Sequence, residues 1–247
     1  MDGMANERTL AGTNDRIEVE GCDTIPKLFW HQVKARDGRT AFREKVLGIW
    51  RATSWRDYGE RARATGMGLV KLGLHRGDVV SILAETVPEW LYADMGTMGA
   101  GGVSNGIYPT DSAKQVEYIA NDSRSRFLFV ENEEQLDKFI DIRERCPSIV
   151  KVFVFDMEGL ADFNDPMVMP FDDLLALGRA HEAASPGAWE KLVAGSKADE
   201  LALLVYTSGT TGPPKGAMLS HRNVVFQISN ADAFIPMGTD DEQLAFL

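Results

Sequence analysis

Between residues 78 and 155 this 247-residue chain alternates short apolar runs with stretches of helical periodicity, and that alternation restricts the folds open to it more than any other feature. Runs at 78–84, 102–105, 126–130 and 151–155 have the length and the Val, Ile, Leu and Phe content of strands, while 89–99, 112–121 and 133–145 between them read as helices. Strands joined through helices require crossover connections. The order therefore predicts an α/β fold with a mainly parallel sheet, whose ligands bind beyond the carboxyl ends of the strands.

The flanking segments fit this frame. Asp23 and Thr24 can cap a helix over 26–35 with Leu28, Phe29 and Val33 on its inward face. Residues 41–46 and 49–53, joined around Leu47 and Gly48, read as an early β-hairpin, and Ser54-Trp-Arg-Asp57 reads as a capping box opening a helix to about Leu72. Residues 156–170 form a looser acidic connection, and 171–183 and 188–194 read as helices. Gly66-Met67-Gly68 has Lys71 where a dinucleotide fingerprint needs its third glycine, so small residues for close helix packing explain the pair better. Trp90, Tyr92, Met95 and Met98 recur at helical spacing and read as core rather than as a lipid-binding stripe. No repeat or linker divides the chain. A loose polar segment over 1–22 is expected, followed by one domain over 23–247.

The apolar run 201–206 is followed by a stretch suited to wrapping a polyphosphate. Thr207, Ser208, Thr210 and Thr211 bring hydroxyl donors, Gly209 and Gly212 let the backbone approach a ligand, and Lys215 adds a positive charge. Successive N–H groups in such a turn can converge on an anion. An ordinary P-loop is excluded by register: counting from Gly209, Pro214 falls on the second required glycine and Gly216 on the metal-binding hydroxyl. A Ser/Thr/Gly-rich surface turn has the same composition, and composition alone leaves both readings open. A loop of this kind is expected to be poorly ordered when empty and to close on its ligand. Ser220 can cap a helix running from His221 to about Ile235, whose positive N-terminal end is expected near the same anion, and His221 itself reads as a structural or capping group.

Tyr206-Thr-Ser-Gly-Thr-Thr-Gly-Pro-Pro-Lys-Gly216, followed by Met218-Leu-Ser-His-Arg-Asn223, resembles the phosphate-loop signature of the adenylate-forming (AMP-binding) enzymes. Upstream, Gly77-Asp-Val-Val-Ser-Ile-Leu83, Glu89-Trp90, Gly106-Ile-Tyr-Pro-Thr110 and Val116-Glu-Tyr-Ile-Ala-Asn-Asp122 resemble the same family, in particular its long-chain fatty acid–CoA ligase branch. The resemblance implies a two-step reaction. A carboxylate attacks the α-phosphate of Mg-ATP to give an acyl-adenylate and pyrophosphate, and the thiol of coenzyme A then displaces AMP. It also implies that Thr207, Ser208, Gly209, Thr210, Thr211, Gly212 and Lys215 hold the phosphates, with Lys215 offsetting charge on the departing pyrophosphate. In such ligases the adenine, ribose and magnesium (Mg2+) contacts, most of the fatty-acid tunnel and a small C-terminal domain come later in the chain. Residues 23–247 are therefore expected to be an incomplete N-terminal domain, inactive alone. The alternatives are a ligase for another carboxylate and a non-catalytic nucleotide-binding module.

Composition narrows the partners. A net charge of −11 argues against a general nucleic-acid surface, which needs clustered cations. Cys22 and Cys146 are far apart without a Cys-x-x-Cys spacing, and His31, His75, His181 and His221 show no metal-ligand pattern. With no secretory signal and no long apolar span, a cytoplasmic protein is expected. A long-chain acyl substrate partitions into bilayers, which leaves peripheral membrane contact open; no segment announces it.

Overall fold

A computed structural model describes residues 17–207, 213–234, 238 and 241–244. Residues 17–22 make a tight turn closed by backbone hydrogen bonds between Val19 and Cys22. Helix α1 (Ile25–Arg36) begins at Thr24, whose hydroxyl accepts from the Lys27 amide. Its buried side chains are Pro26, Phe29 and Val33, so Pro26 takes the inward place expected of Leu28. Phe29 and Val33 follow Pro26 one and two helical turns on, along the same face, and the ring at the helix start loses nothing by lacking an N–H.

Strands β1 (Thr40–Val46) and β2 (Ile49–Ser54) form the expected antiparallel hairpin as a separate two-stranded sheet. The turn residues Leu47 and Gly48 have φ of +48° and +84°. Positive values at both positions suit the right-handed twist of a two-residue hairpin. Phe42 holds the root of the hairpin to the core, its ring centroid 5.4 Å from Tyr58 and 6.2 Å from Tyr92. Ser54 then caps α2 (Trp55–Lys71), its hydroxyl accepting from the Asp57 amide at 3.0 Å.

The main body alternates as the sequence predicts: β3 (Val79–Leu83), α3 (Pro88–Gly99), β4 (Val103–Ile107), α4 (Ala113–Asp122), β5 (Phe127–Val130), α5 (Glu133–Ile142) and β6 (Lys151–Val154). A short strand β7 (Val168–Pro170) lies inside the connection expected to be irregular, followed by α6 (Phe171–Ala184), α7 (Ala188–Ala194) and β8 (Leu201–Thr207). Strand β9 (Lys215–Ser220) and helix α8 (His221–Phe234) complete the described elements. The seven strands lie in the order β7-β6-β5-β3-β4-β8-β9, and every pairing is parallel except β8 with β9.

Apolar residues cover both faces of this sheet. Val80, Ile82, Phe127, Phe129 and Phe153 pack with α2, α3 and α6 on one side. Leu83, Leu128, Val130, Val152 and Val154 meet Val116, Ile119, Leu136 and Phe139 of α4 and α5 on the other. Burial on both faces explains why these strands read as continuous apolar runs. Tyr92 and Met98 are buried, and Trp90 and Met95 pack against the core.

The glycine pair in α2 serves close packing. A Cβ on Gly66 would lie 2.5 Å from the Gly96 carbonyl oxygen of α3, and one on Gly68 would lie 2.6 Å from the Leu174 carbonyl oxygen of α6. Gly178 of α6 is tighter still, its would-be Cβ 1.8 Å from the Ala64 carbonyl oxygen. Any larger residue there forces the helices apart.

Candidate functional site

Strand β8 runs parallel to β4, pairing Ser104, Asn105 and Gly106 with Leu203, Leu204 and Val205, so its last residue, Thr207, lies at the carboxyl end of the sheet. Strand β9 then returns antiparallel along its other edge, with Thr207 opposite Lys215 and Tyr206 opposite Gly216. The hydroxyl of Thr207 and the ammonium of Lys215 thus belong to facing positions at one mouth, and both residues are exposed. Ser208, Gly209, Thr210, Thr211 and Gly212, together with the expected ordering and closure of their loop, lie outside the described residues.

What holds the mouth is legible in α4. The hydroxyl of Tyr118 donates to the Pro214 carbonyl at 3.1 Å, and the hydroxyl of Tyr206 donates to Asp122 Oδ2 at 2.7 Å. Tyr118 and Asp122 stand four residues apart, hence on one face of the helix. One helix face therefore grips both arms of the hairpin, Tyr206 before the loop and Pro214 after it. Burial, and then the hydrogen bond to the Asp122 carboxylate, pushes the Tyr206 phenol well above its ordinary value, so it remains a neutral donor. Gly216 leaves room for this ring, since a Cβ there would come within 3.0 Å of it.

Sequence reasoning reached Tyr206 only as the start of a motif and gave no role to Tyr118 or Asp122. Their four-residue spacing was the available signal, but no sequence rule says which strand such a face will meet.

The helix after the loop starts at His221 as expected, but not beside the mouth. Strand β9 carries the chain back from Lys215 to Ser220, which pairs with Leu201 at the opposite end of β8. Five residue steps of extended chain put the start of α8 about 17 Å from the mouth. Its dipole, felt only within the first turn, does not act on an anion held there. The expected helix is there, and what the expectation lacked is the strand before it, which carries the helix start away from the mouth. The cap itself forms: the Asn223 amide donates to Ser220 Oγ at 3.3 Å, and the Ser220 amide donates to Asn223 Oδ1 at 2.9 Å.

His221 is buried at 2% exposure, its amide bonded to the Glu200 carbonyl. Burial pulls its imidazole down to about 4. A neutral histidine at the far end of β9 is a structural group, with no path to chemistry at the mouth.

Beside the anchoring helix lies an open cleft of about 940 Å³ between α4 and α5, lined in part by Tyr118 and Asp122. Its charged groups are Lys114 and Arg145 against Glu117, Asp122 and Asp141. Arg145 is already committed to Glu117 at 2.8 Å. This balance disfavours a polyphosphate in the cleft itself. Among the described residues no group of three or more His, Cys, Asp or Glu is placed to hold a metal ion, and no helix is long and apolar enough to cross a membrane.

Comparison with known proteins agrees with the fold. A family described as AMP-binding enzyme matches residues 29–247. The long-chain-fatty-acid–CoA ligase ACSBG2 of Xenopus laevis is 32% identical over 208 residues, 84% of this chain and 28% of that protein. ACSBG2 of Homo sapiens is 34% identical over 203 residues, 82% of this chain and 30% of that protein. The chain thus spans less than a third of the length of these relatives. Among solved structures, the anthranilate CoA ligase AuaEII in complex with anthranoyl-AMP is similar at a TM-score of 0.66 and 25% identity, covering 81% of this chain and 35% of that one. The adenylation and carrier didomain of a carboxylic acid reductase from Segniliparus rugosus, bound to AMP, gives a TM-score of 0.68 at 21% identity, covering 85% and 33%.

Proposed function

Because the chain belongs to the AMP-binding enzyme family, we propose that it is the N-terminal part of an ATP-dependent long-chain fatty acid–CoA ligase. The reaction would form an acyl-adenylate from a fatty acid and ATP, then pass the acyl group to coenzyme A. The identity to long-chain-fatty-acid–CoA ligases supports the substrate class. The placement of Thr207 opposite Lys215 at the carboxyl end of a parallel strand carries the ATP reading.

In this reading Thr207, Ser208, Gly209, Thr210, Thr211 and Gly212 donate hydroxyl and backbone N–H groups to the β- and γ-phosphates. Lys215 offsets negative charge on the leaving pyrophosphate. Catalysis by such a loop is positional and electrostatic: donors fixed around developing charge lower the barrier without covalent participation. Tyr118 and Tyr206 are positioning residues, fixing the two arms from which the donors hang. Magnesium would arrive with ATP, and no step is assigned to it because the described residues offer no ligand cluster. The domain over 23–247 would be completed by residues that the longer relatives carry, so the isolated chain should be inactive and bind ATP weakly.

Carboxylate-dependent exchange of pyrophosphate into ATP, with palmitate and magnesium, tests this reading on the full gene product and on the 247-residue chain side by side. Exchange by the former alone is expected. An anthranilate arm belongs in the same assay, since a structurally similar protein is an anthranilate CoA ligase. Exchange with the aromatic acid and none with palmitate would replace the fatty acid with another carboxylate. Silence with every acid, from a folded protein that binds ATP, would favour a non-catalytic nucleotide-binding module.

A further inference from the structure

The tip of the β1–β2 hairpin gathers three exposed large apolar side chains within four residues. Leu47 in the two-residue turn and Ile49 and Trp50 at the start of β2 are 96%, 69% and 59% exposed. Leu47 also adopts φ +48°, a region in which a bulky residue is strained and Asn, Asp or Gly is at ease. An apolar side chain held at a strained position, with nothing in the described fold to bury it, gains nothing for the fold itself.

Charge identifies what it fits. The whole chain carries −11, yet residues 39–51 hold Arg39, Arg43, Lys45 and Arg51 against the single carboxylate Glu44. Arg43 is paired with Glu242. Lys45 and Arg51 are exposed just behind the tip, Lys45 Nζ lying 5.9 Å from the centre of the Trp50 ring. Glu44 stands opposite Arg51 in the strand register. A protruding apolar tip, a tryptophan at its border and cations one step further back form the sequence of layers that a bilayer presents in mirror image: acyl chains, interface and head-group phosphates.

The geometry points to this hairpin as a docking element for an anionic lipid surface, with Leu47 and Ile49 entering the acyl boundary, Trp50 at head-group level, and Lys45 and Arg51 on lipid phosphates. The hairpin root packs against Tyr92 of α3, the helix that starts beyond the carboxyl end of β3. Its root therefore lies toward the same end of the sheet at which β8 opens into its loop. The proposal stands on the hairpin alone and is independent of the ligase substrate.

Co-sedimentation of the chain with phosphatidylcholine vesicles, with and without phosphatidylserine, tests it. Binding to the phosphatidylserine vesicles is expected, with partitioning at least about tenfold weaker in Leu47→Asp and in Ile49→Asp, the change anticipated when an apolar anchor becomes a like charge. Lys45→Gln and Arg51→Gln should each cost about fivefold, and only on the anionic vesicles. Brominated lipids should quench tryptophan emission of the parent and not of Trp50→Phe.

Leu47→Asn separates docking from folding. It relaxes the turn, so it should keep or raise the melting temperature while weakening vesicle binding. Three results would overturn the proposal: no binding by the parent chain, binding indifferent to Leu47→Asp and Leu47→Asn, or a fall in melting temperature in both variants, which would mean that the tip packs against protein.

Discussion

Two antiparallel hairpins interrupt an otherwise parallel protein, and they are built on opposite plans. The β1–β2 hairpin closes on two residues, Leu47 and Gly48, and its geometry is enforced by backbone conformation at the turn. The β8–β9 hairpin opens into residues 208–214 and is enforced from outside, by Tyr118 and Asp122 of α4 gripping its two arms. The first fixes its own shape and leaves its apolar tip uncovered. The second borrows rigidity from a helix, so that a loop of hydroxyls and glycines need not supply it. On the proposed function, an anchored base limits how many residues must be ordered when the phosphates bind.

Substitutions can break or sharpen this contrast. The largest effect is expected at the open hairpin: Lys215→Ala in the full gene product should slow pyrophosphate exchange about 10²–10³-fold, the usual consequence of removing one fixed electrostatic donor. Thiol transfer should suffer much less, and equal losses in both half-reactions would remove Lys215 from the leaving group. Leu47→Asp in the closed hairpin should leave exchange with a water-soluble acid unchanged.

The far end of β9 should respond to pH instead of nucleotide. The His221 imidazole has a folded value of about 4 against 6.5 unfolded, so its contribution is intact above pH 6.5 and is lost as pH falls toward 4, about 2 kcal/mol between pH 7 and pH 5. Asp94 opposes it, because burial raises its carboxyl from 3.8 to about 6 and the folded state gains stability as pH falls through that value. Denaturant titrations should therefore show the parent nearly flat over this range and His221→Asn more stable at pH 5 than at pH 7. A parallel pH profile for parent and variant would exclude this role of the histidine.

Glycine separates the hairpins by mechanism at smaller cost. Gly216→Ala should lose about 1–2 kcal/mol by crowding the Tyr206 ring, and Tyr206→Phe in the same background should restore little, since the clash is with the ring itself. Gly48→Ala meets open space and should lose about 1 kcal/mol through its positive φ alone. Tyr118→Phe, which deletes one part-buried hydrogen bond, should cost about 1 kcal/mol or less. Equal urea midpoints for Gly48→Ala and the parent would show that the closed turn is not held by its backbone.

The sequence announced elements that carry their own local signals. Thr24, Ser54 and Ser112 cap helices where a hydroxyl precedes an amphipathic run, and the buried strands stand out as unbroken apolar stretches. Strand β9 had no such signal. Lys215-Gly-Ala-Met-Leu-Ser220 is an edge strand with Met218 exposed, so neither alternation nor an apolar run marks it, and its absence from the reading displaced the following helix dipole by the length of the strand. Strand β7, three residues in an acidic segment, is too short to show a period. The proposed phosphate mouth rests on the chemistry of its hydroxyls, glycines and lysine. Its supports were not legible, because the meeting of Tyr118 with Pro214 and of Asp122 with Tyr206 is a fact of topology joining residues 96 and 84 positions apart.

The contacts of Gly66 with Gly96 and of Gly178 with Ala64 bear on how this domain can move. Main-chain atoms approach so closely at these points that no larger residue can enter, which fixes the separations of α2 from α3 and from α6 and with them the scaffold on one face of the sheet.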